Sequence, residues 1–326
     1  MNLHLFDTSE YIYSGSRKLW ILRGGMQTDS GYVDASLPCG SLAYVLNTFV
    51  EWGGENEVLV HCIDSPPTYK RALHEKYFSG GYKGNRSAPT PEITVQKKMV
   101  PEMLEMIGAN VVTAPGYEAD DIIASIVKYY HDDFEKIYIH AADSDLFYLV
   151  DEKVEILPLA GGVDSLQKNY SNNKKFSAGR HIYLENWESV VRKGKTCPRN
   201  VLTLFKILDG ERGDNVPAVS YEMGMKIVDS IPHSEYPLCG DNEYLREKIR
   251  IAVNNDEKVM AVVDLIMPVI LPFKDVEIFE SDLDMTKFMN MAALCECKYA
   301  SHSWKYTANE ECEAFINKYL QIYLND

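Results

Sequence analysis

The sequence lacks any apolar segment long enough to cross a membrane, and it lacks a recognisable leader. Its best candidate, Val259–Phe273, is interrupted by Asp264, Pro268 and Pro272 and falls short of the ~20 apolar residues that a spanning helix needs. The first seven residues contain neither the basic region nor the long apolar run of a signal peptide. We therefore expect a cytoplasmic protein that does not associate with membranes.

Cysteine is present but lacks the spacing that would indicate a disulfide framework or a zinc site. The seven cysteines are an odd number at irregular intervals, and the close pair Cys295 and Cys297 has no second pair at zinc-ribbon spacing. Reduced thiols in a cytosolic protein explain them best. No internal repeat is evident either, which argues against a solenoid.

Net positive charge is also lacking, since 33 Lys and Arg face 48 Asp and Glu for a net charge of −15. Taken alone, this balance argues against a nucleic-acid partner. The charge is uneven, however. Residues 66–100 hold seven basic and two acidic side chains, residues 163–208 hold nine and three, and residues 231–326 hold nine and seventeen. The two basic islands are either solvated faces or phosphate-binding surfaces.

The first half of the chain alternates between short apolar runs and helical patterns, which predicts an α/β fold with a parallel, doubly wound sheet. Ligands bind at the carboxyl ends of the strands in such sheets. Three of the runs lead directly into an aspartate: Asp7, Asp64 and Asp143. The predicted strands are Leu3–Phe6, Val58–Ile63, Asn110–Ala114, Lys136–Ala142 and Val154–Leu159.

Two polar stretches interrupt this pattern and suggest how the chain is organised. The first, Pro66–Pro91, is rich in Gly, Pro, Tyr and basic residues, and an insertion of this length usually forms a functional loop. The second, Gly161–Arg180, is rich in Gly, Ser and Asn and places a domain boundary between residues 162 and 163. The sequence pattern of the region 163–326 predicts a mostly helical structure.

Acidic residues form the main chemical signal. Besides the three strand-end aspartates, Glu118-Ala-Asp-Asp121 opens a predicted helix and Asp143-Ser-Asp145 places two carboxylates on one side of a strand end. A favourable helix dipole explains one or two acids in a first turn, but not three. Carboxylates this close repel one another unless a cation lies between them. Oxygen ligands favour Mg²⁺ or Mn²⁺ over Zn²⁺, and two such ions about 3.5–4 Å apart would suit phosphodiester hydrolysis.

The order of the motifs resembles the 5′→3′ exonuclease/flap endonuclease family, and the length resembles its stand-alone phage members. The matching segments run in family order over two-thirds of the chain, and the segments at 82–86 and 116–124 are the most specific. They are Leu3–Asp7, Cys62–Asp64, Tyr82–Arg86, Gly116–Ala124, Ala142–Leu146 and Gly210–Pro217.

The resemblance implies a role for each matching residue. Two Mg²⁺ ions, replaceable by Mn²⁺, would be held by the acids, and Lys83 and Arg86 on an inserted arch (about 66–100) would face the scissile phosphate. Asp121 and Asp214 would act as outer or water-mediated ligands. The first ion would bind Asp7, Asp64, Glu118 and Asp120, and the second Asp143, Asp145 and Glu211.

The resemblance also implies contacts with nucleic acid. Tyr13 matches a position that stacks on a terminal base, worth ~1–3 kcal/mol, although a helix residue packed in the core would explain it equally well. Arg71 and Tyr82 would lie near the phosphates. The basic island offers Arg192, Lys193, Lys195 and Arg199 to the duplex.

Two departures from the family pattern affect these expectations. The last acidic motif normally begins with Asp, but here it begins with Glu211, whose carboxylate reaches one methylene further. The helix-hairpin-helix that follows normally holds K⁺ in a Gly-x-Gly turn, and only Gly224 remains of it. This degenerate turn puts the K⁺ site in question.

We expect a monomeric, structure-specific 5′→3′ exonuclease or flap endonuclease that acts on branched DNA and RNA–DNA duplex, as in removal of primers and flaps during replication. A single-stranded DNA-binding protein or a replication clamp would be its protein partner, and a phage gene would place it in the host cytoplasm. Two alternatives stay open: a non-catalytic binder of branched nucleic acid, and a PIN-type ribonuclease.

Overall fold

The structure is a computed structural model of the 326-residue chain. It describes residues 1–16, 21–28, 31–141, 143–157, 177–178, 182–184, 189–192, 195–198, 201–232, 234–235, 242–279, 281–295 and 309–325. For 21–36 and 177–198 it describes the backbone only. The chain divides into two compact units that each combine separate segments. Unit 1 comprises Met1–Ile63, Ala88–Val112 and Ile278–Asp326, and unit 2 comprises Asp64–Ser87 and Thr113–Glu277.

Unit 1 combines parallel strands with helices and an antiparallel hairpin. Its described elements are β1 (Asn2–Asp7), α1 (Thr8–Ser16), β2 (Ile21–Thr28), β3 (Gly31–Pro38), α2 (Gly40–Trp52), β4 (Glu57–Ile63), α4 (Pro91–Met106), β5 (Asn110–Thr113, whose last residue belongs to unit 2), α10 (Met285–Leu294) and α11 (Glu310–Asn325). The strand order in the sheet is β5-β4-β1, and β1 pairs with β4 in parallel, with Asp7 opposite Cys62.

The core of unit 1 forms where the apolar faces of these elements meet. Leu3, Leu5 and Phe6 of β1 are fully buried, as are Met99 and Met103 of α4. Strand β1 is buried almost throughout, including its polar residue His4, as expected of a strand covered on both faces. Asp7 follows this buried run, so the fold fixes its backbone at a strand end.

His61 on β4 is a fully buried histidine of this core. Its ring stacks on Phe6 and Phe49, with centroids 4.8 Å and 5.1 Å away. Its two nitrogens lie 3.2 Å from the Thr8 hydroxyl and 3.4 Å from the Thr48 hydroxyl. Burial lowers the pKa of His61 to about 3, so the ring is neutral at physiological pH.

Unit 2 holds the other parallel pair and most of the later helices. Its described elements are α3 (Thr68–Tyr77), α5 (Ala119–Tyr130), β6 (Lys136–His140), β7 (Val154–Leu157), β8 (Ser177–Ala178), β9 (Ile182–Leu184), β10 (Ser189–Arg192), β11 (Lys195–Pro198), α6 (Leu202–Asp209), α7 (Tyr221–Ser230), α8 (Asn242–Ala252) and α9 (Glu257–Ile266). Strand β6 pairs with β7 in parallel.

Apolar residues of four helices form a buried cluster in unit 2. Leu204 and Ile207 of α6 pack with Ile227 of α7, Leu245 of α8 and Val263 of α9. Between α6 and α7 the chain turns at Gly210, which has φ +70°, and a Cβ there would lie 2.4 Å from the Ala218 nitrogen. Only glycine fits this position, and the turn fixes the backbone position of the next residue, Glu211.

The structure confirms the predicted parallel α/β class. All five predicted strands are present as β1, β4, β5, β6 and β7. The prediction of a helix-hairpin-helix turn around Gly224 was wrong, because Gly224 lies within α7. The expectation that 163–326 is mostly helical missed the antiparallel sheet β11-β10-β9-β8. Its strands are only two to four residues long and show no alternation of apolar and polar residues, so the sequence pattern did not indicate them. The predicted boundary at 162/163 lies outside the described residues.

The insertion after β4 is more ordered than its composition suggested. It contains α3, and Lys70, His74 and Tyr82 are buried, so the segment predicted as a loop is partly helical and partly buried. The β2–β3 hairpin was also not anticipated. Within the described residues, no helix is both long and apolar enough to span a bilayer.

The burial of His61 predicts a specific pH dependence of stability. Below pH 6.5 the unfolded chain binds a proton that the folded protein excludes, so the free energy of unfolding falls by about 1.4 kcal/mol per pH unit. Between pH 7.5 and 5.0, wild type should therefore lose about 2 kcal/mol more than His61→Phe, which keeps the ring stack but has no titrating nitrogen. Urea unfolding in EDTA across this range measures the difference, and parallel pH profiles would contradict it.

Candidate active site

The acidic start of α5 is the first part of the site, and its geometry follows from helix capping. Glu118 is the N-cap residue and forms a capping box with Asp121, whose Oδ2 accepts the Glu118 amide at 3.1 Å. Asp64, which follows β4, accepts the Ala119 amide through Oδ1 at 2.8 Å. Two segments far apart in sequence thus bring their carboxylates to one helix N-terminus, where the helix dipole favours negative charge.

Glu118 is buried, and its carboxylate pairs with two lysines. Its Oε2 lies 3.1 Å from the Lys70 ammonium, and its Oε1 forms a short contact with the Lys83 ammonium. Burial alone would raise the pKa of Glu118, but the two ammonium groups outweigh it and lower that pKa to about 2. Glu118 is therefore ionised at neutral pH.

Asp121 and Asp120 differ in their surroundings. Asp121 is 1% exposed and its Oδ1 accepts the Val269 amide at 2.7 Å, while Lys70 lies 3.9 Å away. Burial raises the pKa of Asp121, opposed by Lys70. These bonds explain the position of Asp121 without an ion. Asp120, in the first turn of α5, is half-buried.

Residues 80–86, called the basic turn below, bring two cations and a tyrosine to these acids. The Tyr82 hydroxyl lies 2.9 Å from Glu118 Oε2 and 3.0 Å from Asp214 Oδ2. Because both carboxylates only accept, its single proton is shared between them. Arg86 pairs with Asp214 and donates from Nε to the Gly213 carbonyl at 3.2 Å. The Lys83 ammonium lies 3.9 Å from Asp214 Oδ2.

The backbone holds the basic turn in place. Lys83 has φ +57°, a left-handed conformation unusual for a residue with a side chain, and its amide donates to the Asp214 carbonyl at 3.0 Å. The Asn215 side-chain amide donates to the Gly81 carbonyl at 3.0 Å, and His74 Nε2 lies 2.9 Å from the Asn215 carbonyl. The turn and residues 214–215 therefore form one hydrogen-bonded assembly.

A second group of carboxylates, Asp143, Asp145 and Glu211, converges on Lys206 of α6. The Lys206 ammonium forms a short contact with Asp145 and lies 3.8 Å from Glu211 Oε2 and 4.0 Å from Asp143 Oδ1. Asp143 also accepts the Asp145 amide at 2.8 Å. Burial raises the pKa of Asp145, opposed by Lys206. We call these three residues the second carboxylate group.

Sequence reasoning missed two of the central residues, Lys70 and Lys206. Both lysines are nearly fully buried, at 6% and 5% exposed. A signal for Lys206 was present, because the run Leu-Thr-Leu-Phe-Lys-Ile-Leu places one charge within an apolar helix, and a buried lysine needs an anionic partner. Lys70 had no comparable signal beside its exposed neighbour Arg71.

The remaining predicted residues are placed with fewer contacts. Asp7, in unit 1, is 8% exposed and accepts the Glu10 amide at 3.2 Å, which caps α1. Tyr13 is 39% exposed, with the Lys97 ammonium 5.3 Å from its ring centroid, so it is not a core residue. Tyr82 is buried, which favours a positioning role over direct stacking on a base.

The basic island of the second half is only partly described. Arg192 and Lys195 lie at the ends of β10 and β11, where they pair across the antiparallel ladder, and only their backbone is described. Lys193 and Arg199 lie outside the described residues. Their contact with a duplex stays a prediction.

The donor set fits a hard divalent cation by its chemistry. Every candidate ligand is a carboxylate oxygen, and three carboxylates of the second group already surround one positive charge. In the described part of the chain, no group of three or more His, Cys, Asp or Glu side chains is arranged so that it could hold a metal ion without rearrangement. The lysine ammonium groups hold the carboxylates in the arrangement observed.

Comparisons with known proteins identify relatives of this chain. The family model for the 5′-3′ exonuclease, N-terminal resolvase-like domain, matches residues 2–178. A 5′-3′ exonuclease from Aquifex aeolicus (strain VF5) is 29% identical over 163 residues, which is 50% of this chain and 48% of that protein. The thermostable DNA polymerase I of Thermus aquaticus is 39% identical over 85 residues, or 26% of this chain and 10% of that protein.

The chain thus spans about half the length of the Aquifex relative and a small part of the polymerase. Among solved structures, T5 5′-exonuclease with bound divalent zinc ions is similar, with a TM-score of 0.45 and 14% identity over 100% of this chain and 99% of that chain.

The shared Tyr82 proton predicts a measurable contribution to stability. Tyr82→Phe should lower the free energy of unfolding by about 1.5–3 kcal/mol, the range for buried hydrogen bonds to charged groups, because it leaves Glu118 and Asp214 without a common donor. Urea unfolding in EDTA at pH 7 measures this. Tyr77→Phe is the matched control: its hydroxyl donates to the exposed Glu257 at 2.7 Å, and its loss should cost less than about 1 kcal/mol. Equal effects would refute the shared bond.

Proposed function

Because the chain belongs to the 5′-3′ exonuclease family, we propose that it hydrolyses phosphodiester bonds near the 5′ ends of branched DNA and RNA–DNA duplex. It would act as a 5′→3′ exonuclease and flap endonuclease that removes primers and flaps in replication. The observation that carries this proposal is the basic turn, which aims Lys83 and Arg86 at the carboxylates of Glu118 and Asp214, from two other segments of unit 2.

The proposed cofactors are two Mg²⁺ ions, with Mn²⁺ as a substitute. Asp7, Asp64, Glu118 and Asp120 would hold the first, and the second carboxylate group would hold the other. Asp121 and Asp214 would act through water. When bound, such ions activate a water nucleophile and neutralise charge on the phosphate. The hard oxygen donors on this site support Mg²⁺ rather than a thiophilic metal.

Lys83 and Arg86 have a defined role in this proposal. Both are protonated, because Glu118 and Asp214 outweigh the effect of burial and raise the pKa of each. A substrate phosphate would replace those carboxylates as their partner, so the cations would bind its oxygens and stabilise the charge that develops during cleavage. The hydrogen bonds of the basic turn to 214–215 fix the positions of both groups beforehand.

The nucleic acid would be gripped outside this centre. Arg71 lies exposed on α3, Tyr13 offers a half-exposed ring for a terminal base, and the island at 192–199 would hold duplex phosphates. We propose that the protein acts as a monomer in the cytoplasm, with a single-stranded DNA-binding protein or a clamp as partner. Gly224 lies within α7 and not in a turn, so we do not assign K⁺ to it.

A cleavage assay tests the proposed activity. Wild type with Mg²⁺ should cut 5′-labelled flap, nicked duplex and RNA–DNA hybrid and should be inactive in EDTA. Asp143→Asn should abolish cleavage but keep or tighten DNA binding, because it removes a proposed ligand and a charge that repels phosphate. Asp133→Asn changes an exposed acid outside the site and should behave as wild type.

The same assay separates the alternatives. Binding of flaps without cleavage by wild type would indicate a non-catalytic binder, and cleavage restricted to single-stranded RNA would indicate a PIN-type ribonuclease. Near-normal cleavage by Asp143→Asn would refute the assignment of the second carboxylate group.

Lys83 should matter for the chemical step more than for binding. Lys83→Ala should lower the single-turnover rate by ~10²-fold or more, in line with the loss of one transition-state charge contact, while duplex affinity stays within a few-fold. Lys128→Ala is the control: Lys128 is on the same helix as Asp120, about 12 Å further along the axis, and is half-exposed. A normal rate for Lys83→Ala would exclude it from the mechanism.

A further inference from the structure

The position of Lys206 is unusual for a lysine near proposed cation ligands. Its side chain leaves α6 between the buried residues Leu204 and Ile207 and is 5% exposed. The ammonium group lies among Asp143, Asp145 and Glu211, with the short contact to Asp145 and distances of 3.8 Å and 4.0 Å to the others. It therefore stands at the point where these three carboxylates converge.

Charge explains why an ammonium group is stable there. Three carboxylates at this spacing repel one another, and Asp145 is largely removed from water, so an unpaired charge would be costly. One lysine supplies a single positive charge and three donors. It cannot neutralise three carboxylates fully, so the group keeps a net negative charge that still attracts a divalent ion.

A divalent ion and the ammonium cannot occupy the same place. An ion bound by these three carboxylates would lie within a few Å of the observed ammonium position, where two positive charges repel strongly in a partly buried site. The four-carbon stem of lysine is flexible, so the ammonium can withdraw by changing rotamers. Withdrawal, however, gives up its contacts with the carboxylates.

We propose that Lys206 is a built-in counterion that occupies the second cation position in the ion-free protein and competes with the ion for it. This inference rests on the proposed function, which assigns the second carboxylate group to a divalent ion. Two consequences follow. The site stays folded without an ion, with less negative charge than the three carboxylates alone would carry, and the second ion binds more weakly than the carboxylates alone would allow.

Binding of Mn²⁺ to metal-free protein tests the competition directly. Isothermal titration and Mn²⁺ paramagnetic resonance on the full chain should show a second ion that binds about tenfold more tightly or better to Lys206→Met than to wild type, because a nearby positive charge is removed. Lys226→Met is the control, since Lys226 is half-exposed and pairs with Glu222 at 2.9 Å within α7. It should leave both affinities unchanged.

Thermal unfolding gives a second readout that does not depend on activity. In EDTA, Lys206→Met should melt at a lower temperature than wild type, since its carboxylates lose their counterion, and Mn²⁺ should raise its midpoint by more than it raises that of wild type. If this variant does not fold without ions, Lys206→Gln can donate hydrogen bonds to the same carboxylates without the charge, and the same measurements apply to it.

The outcomes separate this inference from the proposed function. Equal second-ion affinity in wild type and in both Lys206 variants would overturn the inference, even if wild type cleaves a 5′ flap in Mg²⁺. A wild-type protein that neither binds Mn²⁺ nor cleaves would overturn the proposed function and the inference with it. Tighter binding by the variants, with Lys226→Met unchanged, supports the competition.

Discussion

The constraint on which unit 2 depends is the mutual repulsion of carboxylates at a partly buried site. Glu118, Asp145 and Asp214 are each at most 17% exposed, and ionised groups at such positions destabilise a fold unless cations or donors balance them. The protein provides that balance from Lys70, Lys83, Arg86 and Lys206, together with the Tyr82 hydroxyl. The hydrogen-bonded basic turn and α6 hold those charged side chains next to the carboxylates.

Local features of the backbone orient the charged side chains, and each feature has a simple steric or dipolar origin. Gly210 permits a turn that any side chain would block, and this turn fixes the backbone position of Glu211. The capping box places Glu118 and Asp121 at the amino end of α5. The left-handed conformation of Lys83 costs conformational energy, which the bonds to Asp214 and Asn215 offset. Secondary structure thus supplies the frame, and a few special residues orient the chemistry.

The sequence predicted the parallel sheet well, for reasons that are local. It also proposed the anionic half of the site from local patterns, and the metal-binding roles of those acids stay a prediction. Apolar runs predicted β1, β4 and β6; Asp7 ends β1 and Asp64 directly follows β4, whereas Asp143 lies three residues beyond β6 and caps a short 3-10 helix, and Glu118–Asp121 marks a helix start. The cationic half depends on tertiary contacts. Nothing adjacent to Lys70 reveals that it will meet Glu118, and the burial of Tyr82 arises from packing against α6 and α7. The sheet of β8–β11 was not predicted because its strands are only two to four residues long and carry no alternating pattern.

The same electrostatic balance bears on how a substrate would enter the site. Lys83 and Arg86 are already paired with Glu118 and Asp214, so a phosphate gains their contacts only by replacing carboxylates that are then left with fewer partners. Divalent ions would offset that loss by taking over the carboxylates. Binding of ions and binding of phosphate should therefore favour each other, since each supplies the charge that the other displaces. Such reciprocal coupling is required whenever two ligands act through shared groups, and here the shared groups are Glu118 and Asp214.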